Sequence, residues 1–567
     1  MTSWYLGLST SGHDPALALV DPAGQVVFAE ATERFLQDKR AWGAAPDHFA
    51  HLAAALATTA FDPAADRLVV ATSWSTVKAT QDVKLHDALL PATDTQWIRG
   101  LQAGIQQAAG ASLLRLGLAD RMPDIRRFDH HLCHAVTAAW FAPVDDAACL
   151  VIDGEGEVGA VSRFRMSGRR LERIWRSWGP GSLGTFYGWL TGLCGFDWRL
   201  GEEWKVMGLA AFGRPIPELV EALAGMLRID RGRPRFADDE TIARIRVLAG
   251  RHARAPGDPV MQAADLAASG QAAYAGFADR IIAAVADDET GETDLILSGG
   301  CALNSSYNGT IPGRDGVRQL FVPPCPADDG NAIGAALLAW MADAGTDRVP
   351  LGNGSPFLGT SPDPRAIAAA AARSGTRVTQ AGAGSAALVA ERLAAGAVIG
   401  VMRGPAEFGP RPLGHRSILA DPRPQDMADR INREVKGREP YRPFAPVLPA
   451  DRTDRWFERP QASPYMSLTL PWKPEMRERV PAVCHRDGTG RLQTVDAATA
   501  PWMSALIDRF EAITGVPVVL NTSFNVMGKP IVHSVQDAMA VLATTGLDGV
   551  LIGDLLLERP DLRGATS

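Results

Sequence analysis

One grammar of strands occurs twice in this chain, and it restricts the fold more than any other feature. Trp4 to Leu8 reads as a short buried strand, followed by the polar loop Ser9-Thr10-Ser11-Gly12-His13-Asp14. Ala16 to Val20 and Val26 to Ala29 are two more strands, joined by the turn Asp21-Pro22-Ala23-Gly24. The pattern returns with the strand Cys149 to Ile152, which ends in Asp153-Gly154-Glu155-Gly156, and two strand-like runs follow between Val158 and Trp178. Helical segments come after each block. A duplicated α/β architecture is expected, with a period far too long for a solenoid.

The elements between and beyond the blocks fill out that picture. Pro46 to Ala60 and Met261 to Ala286 read as Ala-rich helices, the second long and buried. Asp294 to Leu297 is a strand running into Ser298-Gly299-Gly300-Cys301-Ala302-Leu303-Asn304, and Gln319 to Pro323 is another. Asp328-Asp329-Gly330-Asn331 then opens a helix from Ala332 to Ala342, which puts Asp328 at a strand-to-helix turn where ligands of α/β sheets gather. A Gly pair after a strand lets backbone approach a phosphate closely, although plain turns use it as well. From Thr346 to Pro364 the chain is rich in Gly, Pro, Ser and Asp without periodicity, so two domains are expected, 1–355 and 365–567. At 567 residues the chain exceeds a single core in any case.

The histidines fall in Asp129-His130-His131-Leu132-Cys133-His134-Ala135, at the head of a helix running to Ala142. Asp129 is placed to cap it, and His130 and His134, four apart, share one face. Two imidazoles so spaced can grip one metal ion. Taken alone, they read equally as capped, hydrogen-bonded surface residues. His131 faces elsewhere, and Cys133 reads as a small buried hydrophobe.

In the second half, Ala386 to Ala395 is helical and Val398 to Met402 is a strand. The next forty residues hold Arg403, Arg411, Arg416, Arg423, Arg430, Arg433, Lys436, Arg438 and Arg442 among interleaved acids. Some of these are solvated pairs. Others, such as Arg411 in Phe408-Gly409-Pro410-Arg411, sit in rigid turns suited to bidentate anion recognition. Arg491 and a polar turn, Asn521-Thr522-Ser523-Phe524-Asn525, directly after a strand from Val516 to Leu520, complete the set. The net charge of −7 speaks against a nucleic-acid partner, so these cations point to small anionic ligands. Six scattered Cys without a C-x-x-C pair, no signal-peptide pattern and no membrane-spanning apolar run lead to the expectation of a cytoplasmic protein.

Beyond these residues the sequence resembles the O-carbamoyltransferases of the nodulation-factor and antibiotic-tailoring type. The resemblance rests on Gly12-His13-Asp14, Glu33-Arg34-Phe35 with Lys39, and the His130–Ala135 stretch. Lys205-Val206-Met207-Gly208-Leu209-Ala210 and Ser298–Asn304 carry it further. It continues through Glu407-Phe408-Gly409-Pro410-Arg411-Pro412-Leu413-Gly414-His415-Arg416-Ser417, Arg438–Pro446 and Asn521–Asn525. It implies a first domain like the tRNA-threonylcarbamoyl transferases, a duplicated ribonuclease-H-like fold related to actin and sugar kinases. The second domain is implied to be α/β and similar to threonylcarbamoyl-adenylate synthase. It would turn carbamoyl phosphate and ATP, with Mg²⁺, into carbamoyl-adenylate, and the first domain would pass the carbamoyl group to a hydroxyl of a small acceptor.

The same resemblance maps a metal site, usually assigned to iron (Fe²⁺), onto His130, His134, Asp153 and Asp328. Two imidazoles and two hard carboxylates suit a divalent transition metal better than Ca²⁺. It makes His13 an acceptor-proximal base or positioning group, and gives Lys39, the backbone of Gly299 and Gly300, and Asn304 to the nucleotide. Arg411, Lys436, Arg442, Arg491, Asn521 and Ser523 fall to carbamoyl phosphate and ATP. Arg40, Pro412 and Lys529 depart from the family's habit of His, Ala and Glu, and read as tuning. The competing readings are a tRNA threonylcarbamoyl-type modification enzyme and a silent nucleotide-binding scaffold. The acceptor has no readable code, although Trp74, Trp97, Trp189 and Trp204 could give it an apolar, sugar-stacking wall. No membrane partner is expected, and the chain could self-associate as a homo-oligomer.

Overall fold

A computed structural model describes residues 2–75, 89–286, 291–314 and 316–560. The chain forms two compact units. One comprises Met1–Glu33 and Arg40–Ser355, the other Arg34–Lys39 and Pro356–Ser567.

In the first unit, Thr2–Leu8 (β1), Ala16–Val20 (β2), Val26–Ala31 (β3), Asp66–Thr72 (β4) and Ile125–Arg127 (β5) make one sheet in the order β3-β2-β1-β4-β5. Its first three strands pair antiparallel, while β4 and β5 run parallel to β1. A second sheet holds Ala147–Ile152 (β6), Val161–Ser167 (β7), Arg170–Arg176 (β8), Thr293–Ser298 (β11) and Val317–Phe321 (β12), in the order β12-β11-β6-β7-β8. Here again a hairpin of three strands, β6-β7-β8, is antiparallel and two further strands are parallel to the first. The two sheets thus share one order and one pattern of directions. Leu227–Asp230 (β9) and Arg233–Phe236 (β10) form a separate hairpin.

The helices His130–Phe141, Ala264–Ala286 and Asn331–Ala344 pack in this unit. Gly334 lies where a Cβ would meet the Cys133 carbonyl at 2.1 Å, so the helices His130–Phe141 and Asn331–Ala344 approach almost backbone to backbone. That close packing brings the turn at Asp328 toward the imidazoles of the facing helix. The expected helix from Pro46 to Ala60 is only Phe49–Leu56, because Pro46 and the residues after it form a turn. The expected helix from Met261 begins at Ala264, preceded by a single 3₁₀ turn.

The second unit is built on one mixed sheet of nine strands. They are Arg377–Gln380 (β13), Ile399–Met402 (β14), Arg416–Ala420 (β15), Ala445–Pro449 (β16), Leu468–Pro471 (β17), Thr489–Val495 (β18), Val519–Ser523 (β19), Gly549–Ile552 (β20) and Leu555–Glu558 (β21). Their order is β13-β21-β20-β14-β15-β19-β16-β18-β17. Val389, Leu393, Leu506 and Phe510 of two helices pack on Val401, Leu419, Val447 and Val519 of the sheet. Asn521, Thr522 and Ser523 lie inside β19 and not in a turn after it, which corrects the expectation from the sequence. A polar strand is tolerated there because the fully buried Asn521 amide donates to the Pro412 carbonyl at 3.1 Å and to Gln493 Oε1 at 2.7 Å.

Candidate functional site

The first unit gathers four ligand-type side chains in its interior. Asp129 caps the helix His130–Phe141 by accepting from the Leu132 amide at 2.9 Å. The buried Glu157 carboxylate adds a second acceptor, taking the His130 amide at 3.2 Å. On the helix face below, His130 Nε2 lies 3.0 Å from Asp153 Oδ2 and 3.6 Å from Asp328 Oδ1. His134 Nε2 lies 3.3 and 3.4 Å from the same two oxygens. The ligand atoms of all four residues fall within 4.8 Å of one another, and all four side chains are buried. Asp153 follows β6 and Asp328 precedes the helix Asn331–Ala344, so three separate segments converge.

The cluster fits a metal ion by two further observations. His134 Nε2 is buried with carboxylate oxygens on both sides, yet makes no hydrogen bond. His130 Nδ1 stands 3.3 Å from the Ser73 carbonyl, which can only accept. Asn331 Nδ2 lies 3.2 Å from the same nitrogen, so two polar neighbours fix the ring on its Nδ1 side and turn Nε2 toward the carboxylates, as second-sphere groups orient ligating histidines. Burial works against every charge here. The carboxylates Asp328 and Asp153 nevertheless hold His130 well above its ordinary pKa, and His134 is raised in the same way. Both aspartates are held below the usual carboxylate range against their own desolvation, by His130, His134 and, for Asp328, His13. His131 stands apart, its Nδ1 2.7 Å from Ser162 Oγ, with burial pushing its pKa down to about 3.

His13 is beside this cluster, with Nδ1 3.7 Å from Asp328 Oδ2 and 2.9 Å from Asp14 Oδ2. Arg40 completes the group. Its guanidinium donates to Asp14 Oδ2 at 2.8 and 3.1 Å and its backbone amide donates to Glu33 at 2.8 Å. Asp14, Arg40 and Ala41 have φ of 50°, 59° and 40°, a concentration of left-handed backbone that side chains other than glycine resist. Arg40 is thus a structural partner of the His13 loop, a role its departure from the family pattern had not revealed. Asp14 was equally missed, although it adjoins His13 in sequence.

Gly299 and Gly300 form the turn after β11. Gly299 has φ of 90°, and a Cβ on it would strike the Ile152 carbonyl. Both amides are engaged within the unit, Gly299 with the Pro326 carbonyl at 2.8 Å and Gly300 with Asp153 Oδ1 at 3.0 Å. The pair therefore holds the Asp153 carboxylate in place and does not present the two free N–H groups expected for a phosphate. Asn304 caps the short helix Ser305–Asn308 and bonds Gln271. Lys39, expected to act with them on the nucleotide, is half-buried and belongs to the second unit.

In the second unit, Lys436 ends a turn of π-helix, Ile431–Lys436, a form common at functional sites. Its ammonium donates to the Ser523 and Asn525 carbonyls, to Ser523 Oγ at 3.2 Å and to Asn525 Oδ1 at 2.8 Å. Burial, then the neighbouring Arg438 and Arg442, hold its pKa well below that of an ordinary lysine. Burial and Arg491 do the same to Arg411, and burial brings Arg491 to about 10. Arg442 is also near 10, its desolvation partly offset by Glu439 at 3.6 Å. Arg438, not anticipated as a site residue, is depressed by burial, Arg442 and Arg491. Its Nη2 and the Nε of Arg491 are buried without hydrogen-bond partners. Five cations thus crowd one interior. Arg416 is different: its guanidinium donates to the carbonyls of Arg403, His415, Thr360 and Gly404, a structural role. Glu407 rigidifies the Arg411 loop by accepting the amides of Leu413, His415 and Arg416 at 2.8, 2.8 and 3.0 Å.

Of the four tryptophans expected to wall an acceptor pocket, Trp74 is buried against His130 and Trp189 is buried elsewhere in the core. Trp204 lies near the Lys205 ammonium, and only Trp97 is exposed. No helix among the described residues is long and apolar enough to cross a membrane.

Two family models match the chain, Carbamoyltransferase N-terminus over residues 4–337 and Carbamoyltransferase C-terminus over residues 390–559. The protein is accordingly an enzyme of the transferase class. It belongs to the carbamoyltransferase family. An uncharacterized protein of Synechocystis is 31% identical over 98% of this chain and 96% of that one. Nodulation protein NolNO of Sinorhizobium fredii is 37% identical over 76% of this chain and 63% of that one. A 3'-hydroxymethylcephem-O-carbamoyltransferase of Amycolatopsis lactamdurans is 31% identical over 76% and 80%. Among solved structures, T. kodakarensis HypF has a TM-score of 0.36 at 13% identity, covering 61% of this chain and 49% of that one.

Proposed function

We propose that the protein is an O-carbamoyltransferase that uses carbamoyl phosphate and ATP, by way of carbamoyl-adenylate, to carbamoylate a hydroxyl of a small molecule. The observation that carries the anionic substrates is the cluster Arg411, Lys436, Arg438, Arg442 and Arg491. Cations crowded together and partly desolvated are stabilised by an anion placed among them. Carbamoyl phosphate and the ATP phosphates supply that charge. Asn521, held by Pro412 and Gln493, and Ser523, bonded to Lys436, line the same region. One water hydrolyses carbamoyl phosphate to carbamate and phosphate, carbamate then displaces pyrophosphate from ATP, and the resulting carbamoyl-adenylate gives its carbamoyl group to the acceptor with release of AMP. Exclusion of water protects the carbamate and its adenylate.

The second domain would therefore form the adenylate, and the first, with the paired sheet order of a duplicated ribonuclease-H-like fold, would carry out the transfer. His130, His134, Asp153 and Asp328 would hold the metal, iron(II) by the family's habit, whose Lewis acidity favours charge developing on an oxygen. His13 Nδ1 is held between Asp14 Oδ2 at 2.9 Å and Arg40 Nη2 at 3.0 Å, and Nε2 would be the nitrogen to accept the acceptor's hydroxyl proton, with Arg40 fixing Asp14. The net charge of −7 and the small-molecule acceptor named for one relative favour this reading over modification of tRNA. Chromatography of nucleotide spent in the presence of carbamoyl phosphate tests it. AMP and pyrophosphate are expected. ADP as the stoichiometric product refutes the adenylate route.

A further inference from the structure

Three indoles gather beside His13, where burial would be the ordinary fate of side chains so large. Trp42 and Trp97 have ring centroids 4.8 Å apart at an angle of 37°, and Trp198 meets Trp42 edge-on at 6.3 Å. Trp42 also lies 4.9 Å from the His13 ring, with the Arg40 guanidinium 5.2 Å from its centroid. None of the three is buried. Trp42 and Trp198 are half-exposed and Trp97 is 41% exposed. A contiguous apolar face of this kind in water marks a contact surface.

The group is also held in place. Trp42 Nε1 donates to the Arg199 carbonyl at 2.6 Å, and the Arg40 guanidinium donates to the Trp198 carbonyl at 3.1 Å. Arg40 and Ala41, directly before Trp42, carry the left-handed backbone noted above, so strain is spent on aiming this indole.

We infer that Trp42, Trp97 and Trp198 form the acceptor platform, and that the acceptor presents a neutral pyranose ring to it. The inference rests on the carbamoyltransferase reading and names the substrate class for it. A pyranose offers C–H groups on its flat face, which pack on an indole, and hydroxyls around its rim, one of which would face His13. Charge favours a neutral ring. The two cations at the platform are each matched by a carboxylate, Arg40 by Asp14 at 2.8 Å and Arg199 by Asp94 at 3.0 Å, so neither is left over to select an anionic acceptor.

Saturation-transfer NMR on the full chain tests this, with methyl β-D-glucopyranoside, methyl β-D-galactopyranoside, methyl 2-amino-2-deoxy-β-D-glucopyranoside and hexane-1,6-diol as probes. Ring protons of the neutral glycosides should be saturated at least fivefold more strongly than the diol. Trp97→Ala and Trp42→Ala should each cut that signal at least fivefold, with melting temperatures recorded to exclude unfolding, while Trp97→Phe should retain about half. Trp178→Ala, which removes an exposed indole stacked on Arg176, should change nothing. No saturation of either neutral glycoside by the native protein, equal saturation by a folded Trp97→Ala, or preference for the amino sugar or the diol overturns the inference. Pyrophosphate release by the native preparation is measured alongside. Its absence with glycoside binding intact would fault the reaction assigned to the enzyme, and its presence without glycoside binding would fault the platform alone.

Discussion

Replacing Glu407 with Gln isolates the device that presents Arg411. One carboxylate oxygen accepts three backbone amides at 2.8, 2.8 and 3.0 Å, all from the loop Leu413–Arg416. Burial opposes the charge, but Arg34, His415 and Arg416 hold the carboxyl below the ordinary glutamate range. A hydrogen bond to an ionised acceptor contributes about 1.5–3 kcal/mol and one to a neutral acceptor about 0.5–1.5, so three bonds together lose about 3 kcal/mol. Leaving the Arg34 and Arg416 guanidinium groups buried without this carboxylate raises the total toward about 4 kcal/mol. For a unit of this size that is a fall in melting temperature of roughly 8–16 °C, at about 2–4 °C per kcal/mol. The folded pKa lies below the unfolded one, so the contribution is complete above about pH 4.3 and is lost as pH falls further, through the depressed folded value. Melts of native protein and Glu407→Gln should therefore differ by a constant amount between pH 6 and 8 and converge below about pH 4. A difference under 2 °C at pH 7, or one that persists unchanged at acid pH, would refute the account.

Two further outcomes address the sites directly. His134→Ala should lower metal bound by the purified protein at least tenfold by elemental analysis, whereas His131→Ala, whose ring bonds Ser162, should retain it. Lys436→Met should slow pyrophosphate release by roughly one to two decades, since a charge-assisted contact of about 1.5–3 kcal/mol is lost. The same variant should still carbamoylate the acceptor when carbamoyl-adenylate is supplied, and failure to do so would end the proposed division of labour.

What the sequence disclosed follows the range of the interactions involved. The cap at Asp129 and the His130–His134 pair are local, and a helical period is enough to see them. Asp153 and Asp328 join them only through tertiary packing, and a family pattern was needed to place them. Asn521 to Ser523 misled because polar residues in sequence suggest a turn, whereas here neighbouring strands satisfy them. Trp42 and Trp198 carry no local sign that distinguishes them from Trp74 and Trp189, which are buried. Arg438 was one arginine among many, and only its tertiary neighbours, Arg442 and Arg491, separate it from Arg416, whose guanidinium donates to four carbonyls.

The six residues Arg34–Lys39 leave the first unit's sequence and belong to the second. There Arg34 donates to the Gly409 carbonyl at 2.6 Å, Gln37 to the Ile531 carbonyl at 3.0 Å, and Phe35 packs edge-on to His533. The backbone consequently crosses between the units three times, after Glu33, after Lys39 and after Ser355. A gene cut at codon 355 would not deliver two whole parts, because the downstream fragment would lack a piece encoded near the opposite end. Exchange of the C-terminal half between relatives is constrained in the same way. A transplanted half would receive the host's short N-terminal segment, whose residues at 34 and 37 meet backbone carbonyls that any half supplies and whose residue at 35 must fit the side chain at 533.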